Sequence, residues 1–80
     1  MSRPSSLDEA VTQNLERYFR DLEGTRPTSV YDMVIQAVEK PMLEVVMRQA
    51  RGNQLRASEM LGINRNTLRK KLINHGLLGQ

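Results

Sequence analysis

Residues 30–50 are the segment that most limits what this chain can fold into. Val30, Val34, Val38 and Val45 lie on one helical stripe, and neighbouring apolar residues widen it to more than half of the helix circumference. A helix that is apolar over most of its surface is buried on several sides. The chain has only 80 residues and no cysteine, so it is one small domain without disulfides or thiolate metal sites. We therefore expect a second copy of the chain to cover this helix, and the sequence predicts an obligate dimer.

The pattern of apolar residues predicts an all-α fold with four helices, because no segment alternates in the manner of a β-strand. The first helix follows a short disordered tail, residues 1–6, and starts at the capping pair Ser6 and Glu9. It ends near Gly24, which suits the left-handed position after a helix. The second helix, about 30–50, contains Pro41. We expect a kink there, with a break into two helices as the alternative.

Two short helices follow, at about 54–61 and 65–75, and the turn Gly62-Ile63-Asn64 joins them. The apolar side of the first short helix is predicted to comprise Leu55, Ala57, Met60 and Leu61, while Leu68 and Leu72 of the second face the core. Asn64 is a favourable N-cap for the last helix. Small residues at 57 and 58 and a glycine at the bend are typical of a helix-turn-helix. The predicted organisation is therefore dimerisation helices in 7–50 and a helix-turn-helix in 51–80, within one compact domain.

Charge is distributed unevenly along the chain. Residues 1–40 contain five Lys or Arg and seven Asp or Glu, whereas residues 41–80 contain seven and two. A basic half joined to a mildly acidic half indicates a polyanionic partner for the basic half. The plainer interpretation, a solvated charged face, stays open on composition alone.

The last helix has the residue types that a recognition helix needs on its outer face. Arg65 and Asn66 at its start suit guanine and adenine edges in the major groove of double-stranded DNA. Other polar and basic residues suit phosphates, where each neutralised charge releases a bound cation. The predicted phosphate contacts are Asn53, Gln54, Arg56 and Thr67.

The segment Gly52-Asn53-Gln54, Ala57 and Leu61 through Leu72 resembles the helix-turn-helix of the Fis family. The similarity continues upstream through Tyr31-Asp32-Met33-Val34 and Lys40-Pro41-Met42-Leu43 to Leu7. Nitrogen-regulator-type activators end in the same motif, so a DNA-binding domain of such an activator is an alternative. The large ATPase domain of those activators is missing, and the start at Met1 favours a free-standing member of the Fis family.

The resemblance implies a homodimer in which the first two helices of both subunits intertwine, and recognition helices set so close that DNA must bend to meet both. It implies a nucleoid-associated transcriptional regulator with indirect readout of an A·T-rich centre. It also implies contact between RNA polymerase and the turn Arg51, Gly52 and Gln54. Only six residues precede Leu7, so the hairpin arm that stimulates recombinases in longer members is not expected. The resemblance assigns DNA contacts to Asn53, Arg56, Asn64, Arg65, Thr67, Arg69, Lys70 and Lys71.

Other function classes lack a matching pattern. The sequence has no glycine-rich phosphate loop, paired carboxylates or nucleophile signature, so we predict no enzyme, cofactor, metal or small-molecule substrate. His75, the one histidine, is interpreted as a cap-region or surface residue. No membrane span or signal peptide is predicted, which favours the cytoplasm, and the resemblance implies the nucleoid. The competing class is a dimeric helical interaction module that does not bind DNA.

Overall fold

The computed structural model describes residues 5–78, and this part of the chain consists of four α-helices without strands. The helices are α1 (Ser5–Leu22), α2 (Val30–Gln49), α3 (Gln54–Leu61) and α4 (Arg65–Asn74). The predicted all-α fold with four helices is confirmed. The first helix starts at Ser5, so Ser6 lies inside it rather than before it. The remainder of the predicted tail, residues 1–4, lies outside the described residues.

The chain divides into two units, and the first comprises α1 and the start of α2, up to Val34. In α1 the rings of Tyr18 and Phe19 lie 5.4 Å apart in an edge-to-face arrangement. The helix ends as predicted ahead of Gly24, and both Glu23 (φ 49°) and Gly24 (φ 90°) are left-handed. A left-handed glycine after a helix costs no side-chain clash, which explains why the chain turns there.

The helix α2 runs through Pro41 without a break, as predicted. A proline inside a helix has no N–H for the carbonyl one turn earlier, here that of Ala37. Helix α2 therefore lacks one backbone hydrogen bond near its middle.

The second unit, which begins at Ile35, contains the core of the described chain. Five residues of α2, α3, α4 and the turn after α2 are fully buried in it: Leu43, Ala50, Ala57, Leu68 and Leu72. Partly buried residues pack around them: Val46, Met47, Leu61, Ile63, Leu77 and Leu78. The last two show that the chain folds back onto the core after Gly76.

The predicted apolar side of α3 is wrong in two positions. Leu55 and Met60 are 51% and 52% exposed, whereas Ala57 is buried and Leu61 half-buried. Only one face of this eight-residue helix packs against the core. Ala57, Ser58 and Leu61 form that face, because residues three and four apart lie on the same side of a helix. Leu55 and Met60 therefore point elsewhere.

Helices α1 and α2 both expose large apolar side chains in the single chain. Tyr31 is 75% exposed, and Phe19 is 49% exposed. Isolated apolar residues on a surface are ordinary, but a row of them on long helices indicates an interaction face. The others in α1 and α2 are Leu7, Met33, Ile35, Met42 and Val45.

Candidate nucleic-acid interface

The turn between α2 and α3 has two consecutive left-handed residues. Arg51 has φ 55° and Gly52 has φ 79°, and the Gly52 N–H donates to the carbonyl of Met47 at 3.0 Å. Asn53 then caps α3, because its Oδ1 accepts from the backbone N–H of Arg56 at 3.0 Å. The sequence Arg-Gly-Asn thus ends one helix and starts the next within three residues.

The turn between α3 and α4 likewise combines a left-handed glycine with a capping asparagine. Gly62 adopts φ 77° and donates its N–H to the carbonyl of Ser58 at 2.8 Å. Asn64 caps α4 as predicted, since its Oδ1 accepts from the backbone N–H of Asn66 at 2.7 Å. These local bonds fix where α4 begins, and therefore where the side chains of its first turn are placed.

Small residues allow α3 and α4 to approach closely, as predicted. Ala57 is fully buried and Ser58 is 4% exposed. The Ser58 hydroxyl donates to the carbonyl of Leu55 at 2.7 Å, so its burial leaves no polar group without a partner. Leu68 and Leu72 fill the space on the α4 side, and the opposite side of α4 faces solvent.

The exposed side of the helix-turn-helix is basic and rich in hydrogen-bond donors. A shallow surface depression lies between the start of α3 and the first turns of α4. It is lined by Gly52, Asn53, Gln54, Leu55, Arg65, Asn66 and Arg69. Neither α3 nor α4 has an acidic residue in its first turn. The positive ends of both helix dipoles are therefore not compensated by carboxylates of the same turn, which favours anions there.

Five of the predicted contact residues line this depression, and the other five lie outside it. Arg56, Thr67 and Lys70 are exposed but lie outside the lining, and the side chain of Asn64 forms the cap of α4. Lys71 is set apart, because its Nζ lies 2.6 Å from Oε2 of Glu39 in α2.

His75 and Glu39 were not predicted to interact. The His75 Nε2 lies 2.9 Å from Oε1 of Glu39, and the histidine side chain is only 5% exposed. His75 is the C-cap of α4, as expected, but the prediction of a surface residue is wrong because its ring is enclosed beside Glu39. The partners are 32 and 36 residues apart in sequence, and no spacing rule connects residues at such a distance.

The turn proposed from the resemblance as a polymerase contact lies at the surface. Arg51 and Gly52 are exposed, and Gln54 is half-buried. A second shallow depression runs from this turn toward the end of the chain, lined by Glu44, Met47, Arg48, Arg51, Gly52 and Leu77.

The described residues match neither the pattern of a metal site nor that of a membrane span. Within residues 5–78 no group of three or more His, Cys, Asp or Glu is arranged to hold a metal ion. The helices of this range are also too short or too polar to cross a membrane.

The fold and this surface define an all-α protein with a C-terminal helix-turn-helix. The model of the family described as "Bacterial regulatory protein, Fis family" matches residues 34–73. The chain is 64% identical to a Fis-like DNA-binding protein of Neisseria meningitidis serogroup A over 72 residues, which are 90% of this chain and 91% of the relative. The chain belongs to the Fis family, a family of bacterial regulatory proteins.

Two further relatives show how far the similarity extends. A Fis-like DNA-binding protein of Ralstonia nicotianae is 55% identical over 78 residues, covering 98% of this chain and 100% of the relative. The DNA-binding protein Fis of Glaesserella parasuis is 52% identical over 71 residues, which are 89% of this chain and 72% of the longer relative. The similarity therefore includes α1 and α2 as well as the helix-turn-helix.

Proposed function

We propose that this protein is a homodimeric DNA-binding regulator that places α4 in the major groove of double-stranded DNA. The observation that carries the proposal is the depression in which the start of α3 meets Arg65, Asn66 and Arg69 of α4. Hydrogen-bond donors on two helix N-termini converge there without a carboxylate in either first turn. Such a surface suits a duplex, whose phosphates flank the groove that exposes the base edges. Relatives that bear the name DNA-binding protein support the same function.

The side chains divide into two roles. Arg65 and Asn66 stand in the first turn of α4 and are proposed to read base edges, because bidentate Arg–guanine and Asn–adenine pairs need a side chain at the groove floor. Half-buried Gln54 and the exposed residues around them are proposed to bind the DNA backbone; the exposed ones are Arg56, Thr67, Arg69 and Lys70.

Asn53 and Asn64 can serve the fold and the DNA together. Their Oδ1 atoms accept the capping bonds of α3 and α4. An asparagine side chain also has two N–H donors, and the cap leaves these donors free for a phosphate oxygen. We therefore propose both asparagines as backbone contacts that also set the start of their helices.

The test of DNA binding is the salt dependence of affinity for a duplex, measured by filter binding or fluorescence anisotropy. A protein that neutralises several phosphates loses affinity steeply between low and moderate salt, by about 10³-fold or more for six contacts. We expect this steep loss. A dimeric interaction module would bind no duplex at any salt concentration, and that result would reject the proposal.

The homodimer is proposed from the exposed apolar residues of α1 and α2. Tyr31, Phe19 and Leu7 are 75%, 49% and 59% exposed in the single chain, and burial of such residues stabilises by about 25 cal/mol per Å². Obligate interfaces bury roughly 2,000 Å² or more. Sedimentation equilibrium at micromolar concentration should give about twice the chain mass of 9.2 kDa. A folded monomer would contradict the proposed assembly.

We further propose that the dimer bends DNA and acts as a nucleoid-associated regulator. Each subunit has one short recognition helix of ten residues, with two side chains suited to base reading. Too few base contacts remain to specify a long site directly, so the deformation energy of the uncontacted centre is proposed to contribute specificity, with A·T-rich centres favoured. The turn at Arg51, Gly52 and Gln54 is proposed as a surface for RNA polymerase. Arg51→Ala, at an exposed position outside the proposed DNA contacts, should reduce activated transcription while DNA affinity is retained.

A further inference from the structure

One carboxylate in α2 holds two cationic or hydrogen-bonding side chains of α4. Oε2 of Glu39 lies 2.6 Å from Nζ of Lys71, and Oε1 lies 2.9 Å from Nε2 of His75. The two partners are one helical turn apart on α4, so they present their donors from one face. Both oxygens of a single carboxylate are therefore used to join the two helices.

This group is more enclosed than an ordinary surface ion pair. The side chains of Glu39, Lys71 and His75 are 16%, 35% and 5% exposed, respectively. Isolated exposed pairs contribute little, whereas a partly buried carboxylate with two donors is costly to disrupt, because each removed partner leaves another group unpaired. The hydrogen bonds from Lys71 and then His75 lower the pKa of Glu39 against the opposing effect of burial, so the carboxylate stays ionised near neutral pH.

Apolar packing alone does not determine the direction of α4. Leu68 and Leu72 anchor the helix in the core, but apolar contacts are non-directional. Two hydrogen bonds from adjacent turns to one carboxylate are directional and restrain both the rotation and the tilt of α4. We propose that Glu39 is a positioning residue for DNA recognition, which acts through Lys71 and His75 to fix the direction in which α4 presents its first turn.

The length of α4 shows why such a restraint matters. With a rise of about 1.5 Å per residue, ten residues extend about 15 Å, so a tilt of about 10° at the His75 end displaces Arg65 by roughly 2.5 Å. Hydrogen bonds to base edges tolerate only a few tenths of an ångström. Loss of Glu39 therefore disturbs base reading more than it disturbs contacts to phosphates, which flexible side chains can follow. This inference rests on the proposed DNA binding.

The ion pair has a second consequence for Lys71. Its charge is neutralised inside the protein by Glu39, so it adds little to the counterion release that DNA binding produces. The resemblance assigns Lys71 to DNA contact, and this inference gives it a positioning role instead. Lys70, its exposed neighbour, provides the matched comparison.

The experiment compares Glu39→Gln with Glu59→Gln, which removes a charge from an exposed position of α3. Affinity is measured at several salt concentrations for a duplex selected by the wild-type protein and for a random duplex. For Glu39→Gln we expect about a tenfold loss on the selected duplex, little loss on the random one, and a salt slope steeper by about one, because Lys71 becomes free to bind phosphate. For Glu59→Gln the ratio between the two duplexes should stay unchanged.

Other outcomes overturn the inference. A parallel loss on both duplexes with an unchanged salt slope would mean a smaller folded fraction, and a parallel gain would mean simple repulsion between Glu39 and DNA. If the wild-type protein binds neither duplex, the proposed function fails instead.

A second pair of variants keeps the test valid if Glu39→Gln does not fold. Lys71→Gln retains a donor for Glu39, so it should leave the salt slope within experimental error, whereas Lys70→Gln should lower it by about one. Equal reductions for both variants would also overturn the inference.

Discussion

The side-chain oxygen of Asn64 lies 2.7 Å from the backbone nitrogen of Asn66, and this single bond starts the helix α4. Asn53 forms the equivalent bond to Arg56 at the start of α3. Both helices of the helix-turn-helix thus begin at an asparagine that satisfies an amide which no helical carbonyl can reach. The caps tie the position of the exposed first turns to two local hydrogen bonds.

Removal of the Asn64 cap should destabilise the DNA-free protein. We expect Asn64→Ala to lower the free energy of unfolding by about 1 kcal/mol, because one amide of the first turn of α4 loses its acceptor. Urea denaturation followed by circular dichroism measures the change. Asn74→Ala, at the exposed end of α4, is the control and should change stability by less than about 0.5 kcal/mol. Equal effects would show that the Asn64 cap contributes no more to stability than an exposed side chain does.

The core of the second unit should be far more sensitive than the exposed side of α3. Leu68→Ala removes a fully buried side chain and is expected to cost about 2–5 kcal/mol through lost burial and a cavity. Leu55→Ala, at a position that is 51% exposed, should cost less than about 0.5 kcal/mol in the unbound protein. Both variants are compared by urea denaturation at one protein concentration, because the stability of a dimer depends on concentration. A large cost for Leu55→Ala would indicate that this side chain is buried in the assembly.

Arg65 and Lys70 should affect DNA binding in different ways. Arg65→Ala is expected to cost about 1–3 kcal/mol on a selected site and to flatten the preference among sites, since a base contact is lost. Lys70→Ala should weaken all duplexes alike and reduce the salt slope by about one. Competition binding with selected and random duplexes distinguishes the two. If Arg65→Ala lowered both affinities equally, Arg65 would be a phosphate contact.

Acid should weaken the contribution of Glu39 to stability. Its pKa is lowered from the ordinary value of 4.5 in the folded protein, first by the hydrogen bond from Lys71 and then by that from His75. A carboxyl with a lowered folded pKa contributes stability that is complete above its unfolded pKa and is lost as the pH falls through the folded pKa. The difference in unfolding free energy between wild type and Glu39→Gln should therefore be largest near pH 7 and shrink below about pH 4.5. A difference that stays constant between pH 7 and pH 3 would contradict this linkage.

DNA bending should make affinity depend on base pairs that no side chain touches. With both half-sites held fixed, exchange of an A·T-rich centre for G·C should lower affinity by about tenfold or more, because the stiffer centre costs more to deform. Circular-permutation gels should show mobility that varies with the position of the site. Equal affinities and uniform mobility would describe a protein that reads straight DNA.

Most of the fold could be predicted because its signals are local. The helices follow from apolar spacing, and their ends follow from Gly24, Gly62 and Asn64, each of which acts within a few residues of its own position. Pro41 was expected inside α2, since the apolar stripe stays in phase on both sides of it. Sequence reasoning thus finds elements whose causes lie within one or two helical turns.

The predictions from sequence were wrong or incomplete where tertiary contacts determine which side chains are buried or paired. Leu55 and Met60 have the same apolar character as Leu61, and only the crossing of α3 with its neighbours determines which face meets the core. Glu39, Lys71 and His75 are separated by most of the second unit, so their contact has no signature in spacing. In α4 the outward direction of Arg65 and Asn66 could be predicted, because Leu68 and Leu72 fix the inward face.

The buried core of the second unit has a consequence for the order in which the chain folds. Its five members lie between Leu43 and Leu72, so contacts among them form by closing loops within one chain. Helical units with mostly local contacts form within about microseconds to milliseconds. In the proposed dimer, the apolar residues of α1 gain their burial only through a bimolecular encounter. We expect refolding to proceed as a rapid first-order phase in the helix-turn-helix, followed by a slower second-order phase in which two chains with preformed C-terminal units associate.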